Sequence, residues 1–108
     1  MDGTPIDGRL ELHSKLKSLL TNVYFEPADG NRLSYPCIVY SRQNIETRRA
    51  NNSNLYIGNM VYNVTYISRD SSNTFMKAFL KLVPSASLSN IMTVEGLYHE
   101  TYNVNYRL

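Results

Sequence analysis

Apolar residues recur along this chain in two rhythms. Leu12, Leu16, Leu19 and Leu20 follow one another at helical spacing and make one stripe, with Arg9, Lys15 and Lys17 mostly off it. Thr4 is placed to cap that helix, with Pro5 at the first helical position and Asp7 at the third. The pattern predicts a helix over residues 5–20, in which Gly8 costs about 1 kcal/mol as an interior glycine. A second helical stripe, Phe75, Phe79, Leu82 and Val83, is widened by Met76 and Leu80 and leaves Lys77 and Lys81 outside. Asp70, Ser71 and Ser72 supply its start and Pro84 its stop, which predicts a helix over residues 72–83.

The rest of the pattern is extended. Residues 22–26 read as a short strand around Val23-Tyr24-Phe25, followed by a turn or loop at Pro27-Ala28-Asp29-Gly30-Asn31. Pro36 opens a strand whose first residues, Cys37-Ile38-Val39-Tyr40, do not alternate; such a run belongs inside a sheet, covered on both faces. It turns polar from Ser41 to Thr47, as a strand does on projecting past a core. Residues 48–54 read as a loop or hairpin tip, because their Asn and Ser side chains compete with a regular ladder. Residues 56–68 alternate: Met60, Tyr62, Val64 and Tyr66 share one parity and form the expected core face. Residues 91–95 and 98–106 pair as a hairpin with Gly96 near the turn, and Tyr102, Val104 and Tyr106 share one face. The order α-β-β-β-α-β-β implies an α+β fold, a single antiparallel sheet flanked by two helices.

Length agrees with one domain over residues 1–108, since 108 residues bury about two-thirds of their unfolded surface. An apolar fraction of 43% suits a chain that folds. The longest uninterrupted apolar run is four residues, Cys37 to Tyr40, against about 20 for a membrane-spanning helix, so no span is expected. The first residues carry no basic segment followed by an apolar one, so no secretory signal is expected. Nine Tyr against three Phe and no Trp is the compositional oddity, and amphipathic rings in that number suit half-buried strands and contact surfaces.

Candidate chemistry is sparse. Cys37 lies between Pro36 and Ile38-Val39, the setting of a packed thiol rather than an activated nucleophile. His13 and His99 match no ligand spacing with it. The acids are scattered, and neither glycine-rich phosphate loop occurs. No cofactor and no enzymatic activity are expected. Asn51 and Asn63 fit the glycosylation pattern, which carries little meaning in an Asn-rich chain without a secretory signal.

Charge is distributed unevenly. Residues 1–29 sum to −2, residues 32–49 to +3 and the remainder to +1. Arg42, Arg48 and Arg49 form the basic middle, which suits an acidic partner surface or phosphates, or simply a solvated hairpin rim where Arg discourages edge pairing. Two adjacent arginines are no extended basic stripe.

Three local patterns carry a resemblance. They are Asn22-Val23-Tyr24-Phe25-Glu26-Pro27 leading to Tyr35-Pro36-Cys37-Ile38-Val39-Tyr40; Tyr62-Asn63-Val64-Thr65-Tyr66-Ile67-Ser68-Arg69-Asp70; and Gly96-Leu97-Tyr98-His99-Glu100 followed by Tyr102-Asn103-Val104-Asn105-Tyr106. Together, over residues 6–106, they resemble the tail terminator proteins, also called tail-completion or tail-joining proteins, of long-tailed bacteriophages. The resemblance implies a virion protein of the tail and neck, assembled in the host cytoplasm. It implies a homo-oligomeric, hexameric ring on the head-proximal end of the tail tube. That ring ends tube polymerisation and presents the surface that joins the head-tail connector or stopper protein. DNA only passes through its lumen, and no membrane is involved.

The family offers no invariant functional motif to carry over. Physical reasoning instead selects the arm around Arg42, Arg48 and Arg49, with Asn51, Asn52 and Tyr56, as the contact with neighbouring subunits, tube or lumen. A weaker expectation puts the last strand, Tyr102 to Tyr106, at a sheet edge, against an ordinary core strand. The competing readings are another connector component, a stopper or adaptor, and a small nucleic-acid-binding or regulatory protein.

Overall fold

Asp7 starts the first helix. Its Oδ1 accepts a hydrogen bond from the Arg9 backbone N–H at 2.8 Å, satisfying one of the donors that a helix start leaves without an intrahelical partner. In the computed structural model of the chain, α1 then runs Gly8–Leu19 and is followed by β1 (Val23–Phe25), β2 (Cys37–Arg49), β3 (Tyr56–Ser68), α2 (Thr74–Leu82), β4 (Ala86–Val94) and β5 (Leu97–Arg107). The structure describes residues 7–28, 32–49 and 56–108; the side chains of residues 46–49 and 56–57 also lie outside that description. The cap expected at Thr4 and the first turn at Pro5 fall outside the described residues, but Asp7, expected at the third helical position, is itself the N-cap, so the helix starts later than its sequence pattern predicts.

The five strands form one sheet in the order β1-β2-β3-β5-β4. The sheet is mixed, which corrects the expectation of an antiparallel one: β1 pairs with β2 in parallel, Val23 opposite Ile38 and Phe25 opposite Tyr40. Eleven residues separate β1 from β2, close to the dozen or so that bring a chain back to the end where it started, and far more than a tight hairpin uses. The remaining pairs are antiparallel. A second correction concerns the last strand. β5 lies between β3 and β4, and its pairing with β4 reaches Val104, so Tyr102 to Val104 is interior and β4 is the edge. The Glu95-Gly96 turn explains why the hairpin is tight. Both residues have positive φ, 51° and 78°, as a two-residue hairpin turn of matching twist requires.

Both helices contribute to one core on one face of the sheet. Leu12 and Leu16 of α1, Phe79 of α2 and Val83 just after it bury against Ile38, Tyr40, Tyr62, Val64, Tyr102 and Val104. The parity expected for β3 holds, with Tyr62 and Val64 buried and Met60 and Tyr66 packed at the rim. Aromatic rings make up much of this layer. Phe75 stacks on Tyr66 at 3.9 Å between centroids, and Phe79 meets Tyr102 edge-on at 4.8 Å. The buried Tyr102 hydroxyl donates to the carboxylate of Glu100, itself buried, at 2.6 Å, so neither polar group is stranded. Cys37 is buried as expected, and burial pushes its thiol up to about 11, the opposite of activation.

Candidate assembly surface

The alternating sequence of β3 and the polar continuation of β2 build the longest feature of the molecule. Each strand has 13 residues, paired from Cys37 opposite Ile67 out to Arg49 opposite Tyr56. β5 accompanies β3 only as far as Asn59, which faces Arg107. Beyond that row the sheet narrows to two strands, where Thr47 faces Gly58, Arg48 faces Ile57 and Arg49 faces Tyr56. This projection helps stretch the molecule to 53 Å along one axis against 30 and 29 Å on the others. Ile45, near its root, is 48% exposed.

The structure divides the residues that sequence reasoning grouped together. Arg48, Arg49 and Tyr56 belong to the two-stranded projection, with Arg49 and Tyr56 directly across from one another. Asn51 and Asn52 lie outside the described residues. Arg42 belongs elsewhere, at the root of the arm, on the other side of a bulge that falls between it and Asn44. Its guanidinium holds Glu26 with two parallel contacts of 2.7 Å, and its backbone N–H donates to the same carboxylate at 3.0 Å. The Arg42 hydrogen bonds hold the Glu26 carboxyl down to about 2, below the usual carboxylate range. Arg42 is therefore the anchor that ties the loop after β1 to the root of the arm.

Around that anchor lies a cluster that the sequence pattern did not reveal. The Arg9 guanidinium sits 4.3 Å from the Phe25 ring centre and that of Arg42 sits 5.5 Å from it, so two cations share one aromatic ring. Tyr40, buried in β2, has its hydroxyl 2.6 Å from His13 Nδ1 and 3.5 Å from Arg9. Burial, with the nearby positive charges of Arg9 and Lys17, lowers the His13 pKa below its ordinary value. The His13–Tyr40 contact joins α1 to β2. An open cleft of about 190 Å³ beside this cluster is lined by Asp7, Arg9, Arg42, Met60, Tyr62 and Leu108. Among the described residues no group of three or more His, Cys, Asp or Glu is placed to hold a metal ion. No described helix is long and apolar enough to cross a membrane.

The second surface is β4. All but the first of its nine residues are exposed. Its large apolar side chains stand in the open: Leu88, Ile91, Met92 and Val94 are 40%, 51%, 50% and 43% accessible. Sequence reasoning placed this strand at residues 91–95; it starts earlier, at Ala86, and takes in Ser87, Ser89 and Asn90. They are tolerated here because an edge strand facing water asks little burial of them.

No protein-family model matches this sequence, and a search of curated proteins finds no match.

Proposed function

We propose that the chain is a structural subunit of a phage tail, a terminator that assembles as a ring on the head-proximal end of the tail tube. The ring ends tube growth and offers the surface to which the connector of the filled head joins. Two supports meet in this reading. One is the resemblance over residues 6–106. The other, the observation that carries the proposal, is the two-stranded arm. A hairpin that runs past the last row of its sheet gives up burial on its own core, which makes it a natural element for reaching a neighbouring molecule. Its sequence is polar and basic, with Arg48 and Arg49 at the far end of the described pairing.

The arm is assigned to neighbouring subunits, tube or lumen, and the Arg42–Glu26 pair to holding its root. Replacing both Arg48 and Arg49 by glutamate should leave the isolated protein folded, with unchanged circular dichroism and thermal midpoint, since both lie beyond the row where β5 ends. The same double variant should lose ring formation on tubes and lower infectivity severely. Normal virions assembled with it would remove the arm from the assembly surface.

A further inference from the structure

β4 is an edge strand defended by neither charge nor proline, though it carries a bulge between Leu88 and Asn90. Natural sheet edges are blunted by Lys, Pro, short length, bulges or covering loops. The nine residues of β4, Ala-Ser-Leu-Ser-Asn-Ile-Met-Thr-Val, contain no charge and no proline. The opposite side of the sheet is defended. There β1 has only three residues. Past it, the outer N–H of Arg42 is taken by Glu26 and that of Ile45 by the side chain of Asn44.

The bulge in β4 determines what its outer side can pair with. β4 shifts register against β5 between Leu88 and Asn90: Leu88 faces Tyr102, whereas Asn90 faces Thr101 and Ile91 faces Glu100. Leu88 and Ile91, three residues apart, therefore share the face of the sheet that carries the helices, together with Ala86 and Thr93. Ser87, Asn90 and Met92 take the other face. Consider two copies of β4 side by side, antiparallel about a two-fold axis. Paired neighbours must present the same face, since a register slip of one residue turns every side chain over. One register spanning the whole strand meets this condition. It sets Leu88 of each copy against Ile91 of the other, Ala86 against Thr93 and Ser87 against Met92. The two exposed apolar side chains of the helix face meet their counterparts, and no like charges are opposed.

We propose that β4 is a self-association edge, through which two copies of this chain pair antiparallel in a two-fold dimer with Leu88 opposite Ile91. The interface is isologous and therefore closes at two copies. The defended β1 and β2 side keeps the paired sheet from growing into a fibre. A single strand pair buries less than a standard interface, so the dimer is a weak one that dilution reverses. This pairing belongs to the free subunit and does not rest on the ring reading.

Sedimentation and cross-linking test it. The wild-type mass should move from 12.4 kDa at low concentration toward twice that value as concentration rises. Ile91→Lys, and independently Met92→Lys on the other face, should hold the protein at the monomer mass with unchanged circular dichroism. Ser87→Cys and Met92→Cys, prepared separately and then mixed under oxidation, should form a disulfide-linked dimer, because directly opposed strand residues lie within disulfide reach. Neither variant alone should do so, since residues 87 lie far apart across the axis, as do residues 92. A monomer at every concentration overturns the proposal. So does a cross-link formed by one variant alone, or an assembly that survives both lysine variants.

Discussion

Phe79→Ala is expected to lower the free energy of unfolding by about 3–5 kcal/mol, the usual cost of emptying an aromatic site in a core. Phe79 has no exposed surface, and its ring contacts Phe75 at 5.5 Å and Tyr102 at 4.8 Å between centroids. It packs α2 against β5 through Tyr102. The cavity left by alanine would close only in part, because Tyr102 stands on a strand held by hydrogen bonds to both neighbours. Domains of this size are stable by about 5–15 kcal/mol, so the loss is a large share of the total. Urea denaturation would read it as a lower midpoint with an unchanged slope. A loss below about 1 kcal/mol, within the range of ordinary surface changes, would mean that α2 is not packed as described.

Gly8→Ala is the second large effect, and its sign is the informative part. Gly8 is the first residue of α1, where with no obstruction this change would be neutral or stabilise by less than the ~1 kcal/mol of a helix interior. Here a methyl group on residue 8 would stand 1.8 Å from the backbone oxygen of Arg107 and 2.7 Å from its carbonyl carbon, so α1 and the end of β5 cannot both stay in place. The contact is held from several sides. The Tyr106 hydroxyl donates to Glu11 at 2.6 Å, and the Arg107 guanidinium pairs with the same carboxylate. The expected cost is about 1–3 kcal/mol, as for other overpacked sites. A chain ending at Tyr106 lacks the obstructing carbonyl. In that shortened background the same substitution should be neutral or stabilising relative to its own glycine parent. If alanine stabilises the unshortened chain, the close approach of α1 and β5 is wrong.

Gly8 also shows where sequence reasoning stops. Counted along the helix it is a weak position; counted across the fold it is the place where a helix start meets the last residues of the chain, about a hundred positions later. Nothing local signals that. Period-based reading did well where one face of an element is buried. The stripe of Leu12 and Leu16, the parity of Tyr62 and Val64 in β3, and the burial of Cys37 and Ile38 were all legible. It failed where pairing partners decide the outcome. The parallel β1–β2 pair and the interior position of β5 depend on which strands meet, and hydrophobic alternation does not encode that. β4 was half missed because an exposed edge strand has no buried face to impose a rhythm. Among the candidate assembly residues, the polar stretch gave away the arm carrying Arg48, Arg49 and Tyr56. Arg42 looked like its companion and is bound to Glu26 instead, because the two come together only through the loop after β1. The shared Phe25 ring and the His13–Tyr40 contact are likewise products of tertiary structure.

Tail length tests most directly the proposal that this chain ends the growth of a polymer. Electron microscopy of particles assembled without the protein should show tail tubes that are longer than normal, spread in length and not joined to filled heads. Free tails of normal length beside heads that leak DNA would contradict the account and point to a stopper on the head side.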